Sequence, residues 1–432
     1  MDKLQAYRAA FQALPAGCAA AEVNLICKEN TSVTCAAGEL TGCTTSEKNM
    51  LFVRATGAAT GIVYCENLSE DPYSLIAAAL ENASVVDAGV PQPMLADVAD
   101  CHVSDAPVAS AEELITRAKA LSLRPGVAEC SITAYVRHSQ LCNSLGTETL
   151  QRQPTYTISL RMAEGNHSCE RSSASLDAID VEAMFAALKA ARELAHAELP
   201  YIRLPAGRYD AILSSAMMVK VMNTVWQLFA QRLIDGGRSP LRMGDVLGSD
   251  QLHIVDCPTS PWSGYDYSID CEGVRGPAVN PLVTGGLVTG TLRTLKQGES
   301  SGSAGRADLL SANIHTELIS LPRNIWVVPG DETPEELIAR MGTGIHLTYS
   351  MDEYHSVNIA RGSFAIPCGG VYYENGKAVG RLQQMNLCGS FKELFAGLEA
   401  VGKDVTMQPM WPHYDYCFGG PSLLVRGADF AM

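Results

Sequence analysis

The chain has 432 residues, 47% of them hydrophobic and 18% charged, enough to bury the cores of two or three domains. Its 47 acidic side chains outnumber 32 basic ones, and the net charge of −15 argues against a nucleic-acid-binding surface, which needs a basic stripe. Fourteen cysteines without a CxxC pair point to reduced thiols, most of them small buried hydrophobes, and away from a zinc ribbon or a thioredoxin-like site.

In the first segment Leu4, Tyr7, Phe11 and Leu14 recur at three- and four-residue steps. That spacing predicts an amphipathic helix rather than an export signal, so a cytoplasmic protein is expected. No window approaches a membrane span. Ala21–Cys27 alternates as a half-buried strand, and Ser32–Cys35, Leu51–Arg54 and Gly61–Cys65 continue as short strands of an antiparallel meander. Helices follow over Asp71–Ala83 and Ser110–Leu121, then strands over Ala128–His138 and Thr155–Met162. The longest helix, Asp177–Glu198, carries Val181, Met184, Phe185, Leu188 and Leu194 on one face and ends before Leu199-Pro200. The boundary placed there gives an α+β chain of two domains. Residues 1–200 form an N-terminal meander with helices, and residues 201–432 form a β-rich C-terminal domain.

The second half opens with a helix over Ala216–Ile234 and a strand at His253–Asp256. The loop Asp270-Cys271-Glu272-Gly273, a hairpin around Gly285-Gly286 and a glycine- and serine-rich loop, Gly298–Gly305, follow. Ile325–Val328 is a strand ending at the turn Pro329-Gly330. Thr333 caps a helix whose first position suits Pro334, Glu336 completes a capping box, and Gly342 and Gly344 end it. Val371–Lys377 runs through Asn375-Gly376, a strong hairpin signal. Ser390 and Glu393 form a second capping box, and Pro421–Val425 is a closing strand.

These pieces resemble, in order, the C-terminal half of the TldD/PmbA family, proteins once described as modulators of DNA gyrase and now read as peptidases. The resemblance rests on the strand ending in Pro329-Gly330-Asp331, the Glu335-Glu336-Leu337-Ile338 helix, Gly362-Ser363-Phe364 and the Glu374-Asn375-Gly376-Lys377 hairpin. Asp270-x-Glu272-Gly273, Ser301-Gly302-Ser303-Ala304-Gly305-Arg306 and Pro421–Val425 extend it. Weaker matches at Arg54–Cys65, Asn143–Gly146 and Leu204–Tyr209 carry it into the first half. The TldD-like branch of the family holds zinc on an H-E-x-x-x-H helix, with the Glu polarising the attacking water and a cysteine near the C-terminus as third ligand. The matching helix here, Ser214–Trp226, contains no His and no Glu. The resemblance is therefore to the PmbA (TldE) branch. It implies a non-zinc subunit, inactive alone, with no catalytic residue and no cofactor of its own. Zinc is expected in a TldD-like partner. The acidic charge gives the gyrase description no support.

Site candidates stand beside their plainer readings. His413, Asp415 and Cys417 sit at i, i+2 and i+4, share one face of a strand and are all zinc donors; otherwise they are a surface strand edge. His196 and Glu198 are zinc-ligand types, but no second His follows. Gly302, Ser303 and Gly305 could cradle an extended peptide or a phosphate with backbone N–H groups, or form a plain loop. His355 and Ser356 are adjacent, so on an extended chain they point apart and cannot act as base and nucleophile; they are read as lining a peptide groove. Cys368 and Cys388 have no neighbouring cation to activate them and are read as structural. Three functions follow. The first is a non-zinc subunit that pairs with a TldD-like chain and presents unfolded or small peptides by strand addition. The second is a stand-alone metallopeptidase with a relocated metal site. The third is a non-enzymatic homodimer that binds peptides or proteins.

Overall fold

The computed structural model of the chain describes residues 4–84, 91–163, 168–196, 199–307, 314–352, 355–409 and 416–432. It divides into two compact units, each assembled from separate segments. The first is Met1–Ala195 with Ser263–Gly276 and Arg293–Ile319; the second is His196–Trp262 with Pro277–Leu292 and Ser320–Met432.

In the first unit Ala37 and Gly38 both adopt positive φ, 49° and 79°, the backbone of a two-residue hairpin turn. They join β1 (Ala20–Ala36) to β2 (Glu39–Thr56), paired antiparallel from Ala20↔Thr56 to Ala36↔Glu39. The short strands expected from the sequence are thus parts of two long ones. The polar run in β2 is not a loop: residues 39–41 and 43–47 face solvent, while 50–55 are buried. With β3 (Thr60–Cys65), β4 (Ala99–Val103), β5 (Val127–Asn143), β6 (Glu148–Met162) and β7 (Ser168–Ser173) they form one sheet of order β3-β2-β1-β5-β6-β4, with β7 also on β6. All its pairings are antiparallel except β4 on β6.

Helices cover this sheet. Helix α1 (Gln5–Ala10) is shorter than its apolar spacing suggests, because the chain turns toward Pro15, yet Phe11 and Leu14 still pack on the same core as Tyr7. Helix α2 (Pro72–Ala83) is capped by Asp71, whose carboxylate accepts from Ser74 N at 2.9 Å. Helix α3 (Ala111–Ser122) opens with a Ser110/Glu113 capping box. Helix α4 (Val181–His196) starts four residues later than expected, after a short 3-10 turn at Leu176–Ala178. One core gathers Leu4, Tyr7, Leu25, Leu51, Val53 and Ile76; another gathers Val33, Leu114, Ile132, Ile158, Met184 and Leu188.

Among the described residues the second unit contains a six-stranded and a nine-stranded sheet. In the larger, the strand Gly207–Leu213 lies between Gly344–Ser350, parallel to it, and Leu423–Ala431, antiparallel to it. Helix α5 (Ser215–Val225) follows directly, capped by Ser214 Oγ accepting from Met217 N at 3.2 Å. The single long helix expected here breaks into α5, a 3-10 turn at Trp226–Phe229 and a short helix at Gln231–Asp235. The helix Pro334–Met341 has its Thr333/Glu336 capping box, and Asn375 and Gly376 take φ of 50° and 73° at the hairpin tip. In the smaller sheet a buried ion pair ties adjacent strands. Arg323 Nε donates to Asp256 Oδ2 at 2.9 Å, Arg323 N to Oδ1 at 2.5 Å, and Nη2 to the Asp256 carbonyl at 2.9 Å. Among the described residues no helix is long and apolar enough to cross a membrane.

Candidate functional site

Helix α5 is the element on which a metal site of the expected kind would be built. Met217, Met218, Val219, Val221, Met222, Asn223, Thr224 and Val225 are all buried. Its neighbour is the strand Cys417–Gly420, and Met218 Cβ lies 3.7 Å from where a Cβ on Gly420 would stand. At the end of the helix Trp226 meets Tyr416 edge-on, with ring centroids 5.6 Å apart. Cys417 is fully buried in this strand, and its N–H donates to the Arg323 carbonyl at 2.8 Å. The structure thus brings a cysteine strand against α5, but the helix presents thioethers and branched aliphatics, which do not bind zinc with imidazole and carboxylate chemistry. A zinc ion does not fit this donor set. Among the described residues no group of three His, Cys, Asp or Glu side chains is placed to hold a metal. His413 and Asp415 lie outside the described residues, as does Glu198, and His196 is the last residue of α4.

The first unit holds a buried polar network around Asp270-Cys271-Glu272-Gly273. Asp270 Oδ1 accepts from Glu272 N at 2.8 Å and from Val274 N at 2.9 Å, and Oδ2 accepts from Ala304 N at 3.0 Å. Glu272 Oε2 accepts from Leu295 N at 2.8 Å. Nearby, Arg54 Nη2 and Glu22 Oε1 form an ion pair of 2.9 Å with both side chains wholly buried. Burial, then the Asp270 charge, push the Glu272 carboxyl up to about 8, against the pull of Arg54. Both effects favour the protonated form of Glu272.

The glycine-serine loop packs onto this network. Ser301 Oγ and Ser303 Oγ are 2.7 Å apart and both residues are buried. Arg293 N donates to Ser301 Oγ at 2.8 Å. Gly302 has φ of 69°, and a Cβ there would stand 2.3 Å from Gly276 Cα, so only glycine fits. Gly305 lies within the strand Ala304–Ala307. In the second unit His355 is exposed and paired through Nδ1 with Asp352. The Ser356 carbonyl accepts from Ala365 N at 2.9 Å, just before the strand Val357–Asn358. Cys368 is buried and its thiol is pushed up to about 12, while burial also raises the half-buried Cys388.

Residues 206–432 match the family model described as the PmbA/TldA metallopeptidase C-terminal domain. The chain belongs to the PmbA/TldD metallopeptidase family. A curated metalloprotease of Methanocaldococcus jannaschii is 29% identical over 169 residues, and the match spans 38% of this chain but only 36% of that protein. A Thermotoga maritima protein described as a modulator of a DNA gyrase superposes with a TM-score of 0.75 at 19% identity, over 95% of this chain and 96% of its own. TldE of Thermococcus kodakarensis superposes with a TM-score of 0.72 at 16% identity, over 96% and 97%. At such identities the solved structures establish the fold.

In this PmbA/TldD chain two of the buried groups that escaped sequence reasoning are His346 and the Glu22–Arg54 pair. His346 lies on the strand Gly344–Ser350 beside Tyr373, with ring centroids 6.4 Å apart. Part of the residue reaches the surface, but both ring nitrogens are sealed from water without a hydrogen-bond partner, and burial pushes the imidazole down to about 4. The other is Glu22 with Arg54, on β1 and β2. Charged residues inside otherwise apolar strand runs were the one available signal for the second; a lone His in a strand gave none for the first.

Proposed function

We propose that this chain is a non-zinc, PmbA/TldE-type subunit of a cytoplasmic metalloprotease acting on unfolded or small peptides, paired with a TldD-like catalytic chain. The observation that carries the reading is α5, buried and without a metal donor at the position that matches the family's ligand helix. Pairing is supported by an exposed apolar patch in the second unit: Met243, Val246 and Leu287 are 58%, 55% and 45% exposed, and Val246 bridges Leu287. Strand addition is supported in the first unit, where β3 pairs β2 only over Leu51–Thr56 and Glu39–Glu47 has β1 alone as its described strand partner. In this reading the exposed His355 and the half-buried Ser356 of the second unit are peptide contacts.

The test is zinc per chain in the protein purified alone without a chelating tag, followed by peptide hydrolysis alone and with a TldD-like chain. Zinc near zero, no hydrolysis alone and chelator-sensitive hydrolysis on mixing are expected. About one zinc per chain, or chelator-sensitive hydrolysis by this chain alone, would overturn the assignment and turn attention to His413, Asp415 and Cys417.

A further inference from the structure

Cys35 and Cys130 are direct cross-strand partners, Cys35 near the end of β1 and Cys130 near the start of β5. Directly opposed residues of an antiparallel pair point to the same face, and their Cα atoms are about 4.5 or 5.5 Å apart according to which ladder site they occupy. Both spacings fall inside the roughly 4.4–6.8 Å that a disulfide spans. The packing agrees: both side chains are fully buried in one core, beside the next inward-facing pair, Val33 and Ile132. Each is reduced in this structure.

We propose that this pair is a site of reversible oxidation to an intramolecular disulfide, with a hydroperoxide as the oxidant. The setting favours Cys35 as the first thiol to react. It is separated only by Ala36 from the Ala37-Gly38 turn, and the pairing of β1 with β2 shifts register between Thr34 and Cys35. Strand ends open locally more readily than strand centres, and opening here admits a molecule as small as hydrogen peroxide. Lys119 on α3 also favours the Cys35 thiolate, partly offsetting the burial that raises this thiol. Cys130 lies deeper, and burial pushes it up to about 12, which suits a resolving thiol that reacts only with a sulfur already beside it.

The chemistry balances in two steps. The Cys35 thiolate attacks one peroxide oxygen, the O–O bond breaks, and Cys35 sulfenic acid and hydroxide form. The Cys130 sulfur then attacks the Cys35 sulfur. The S–O bond breaks, hydroxide leaves as water with the Cys130 proton, and the disulfide forms. Overall two thiols lose two electrons and two protons to one peroxide, giving two waters. The bond closes a loop of about a hundred residues, so it constrains the unfolded chain strongly.

The experiment treats the intact reduced protein with a small excess of hydrogen peroxide under native conditions. Remaining thiols are then alkylated, and the unfolded protein is digested without reductant for mass spectrometry. A peptide pair joined through Cys35 and Cys130 is expected, abolished by dithiothreitol and by Cys35→Ala or Cys130→Ala. It should persist in Cys43→Ser, which removes the exposed thiol on the neighbouring strand. Oxidation should also raise the thermal midpoint of the first unit by about 5–10 °C, reversibly. Disulfides through other cysteines only, or oxidation confined to exposed thiols while Cys35 and Cys130 stay alkylatable, would overturn the proposal.

Discussion

Glu272→Gln isolates a single titration. Glutamine keeps the shape of a protonated glutamate and can still accept from Leu295 N, so the variant mimics the neutral form at every pH. In the wild type the carboxyl is raised from 4.5 to about 8, so the folded chain holds a proton that the unfolded chain has lost. Stability from this group is therefore complete below pH 4.5 and is lost as pH rises through about 8. At about 1.4 kcal/mol per unit, the wild type should lose about 4 kcal/mol relative to the variant between pH 5 and pH 9. The assay must report the first unit, whose segments contain no tryptophan. Hydrogen exchange of β1 and β2 peptides against denaturant concentration does so. If the stability difference between wild type and Glu272→Gln is the same at pH 5 and pH 9, Glu272 does not carry the proton, and the account of this network is wrong.

In the second unit the pH dependence should run the other way. His346 is lowered from 6.5 to about 4, so its contribution is present above pH 6.5 and is lost as pH falls through about 4. His346→Phe should remove about 3 kcal/mol of the stability lost between pH 7 and pH 4, followed by the fluorescence of Trp226, Trp262 and Trp326. Arg323→Ala leaves Asp256 buried without its counter-charge and should cost the same unit about 3–5 kcal/mol in urea unfolding; the double variant with Asp256→Ala should cost less than Arg323→Ala alone. Gly302→Ala should destabilise the first unit by about 2 kcal/mol or more, because the positive φ is unfavourable for alanine and the new methyl meets Gly276 backbone; an unchanged thermal midpoint would contradict that geometry.

What could be read from the sequence was local. The Thr333/Glu336 and Ser390/Glu393 caps, the Asp71 and Ser110 helix starts and the Asn375-Gly376 hairpin each need only a few neighbouring residues to satisfy backbone groups, and all stand in the structure. The want of a metal donor on α5 was equally visible, since two imidazoles on one helix are a matter of spacing alone. Tertiary structure decided what depends on distant partners. Glu39–Glu47 looked like a break between strands because its polar side chains face solvent, yet its backbone is held in register by β1. Ser263–Gly276 and Arg293–Ile319 lie more than sixty residues beyond α4 in sequence but belong to the first unit, where Asn24 Nδ2 donates to the Cys271 carbonyl at 3.0 Å. No periodicity records such a return. The same holds for charge and thiol chemistry. Glu272 titrates as it does because Glu22, Arg54 and Asp270 meet it in a dry interior, and Cys35 faces Cys130 only because β5 chose β1 as its neighbour. Local hydrogen bonding is written in adjacent residues. Burial and strand pairing are properties of the assembled chain, and they set the chemistry of the groups this protein keeps inside.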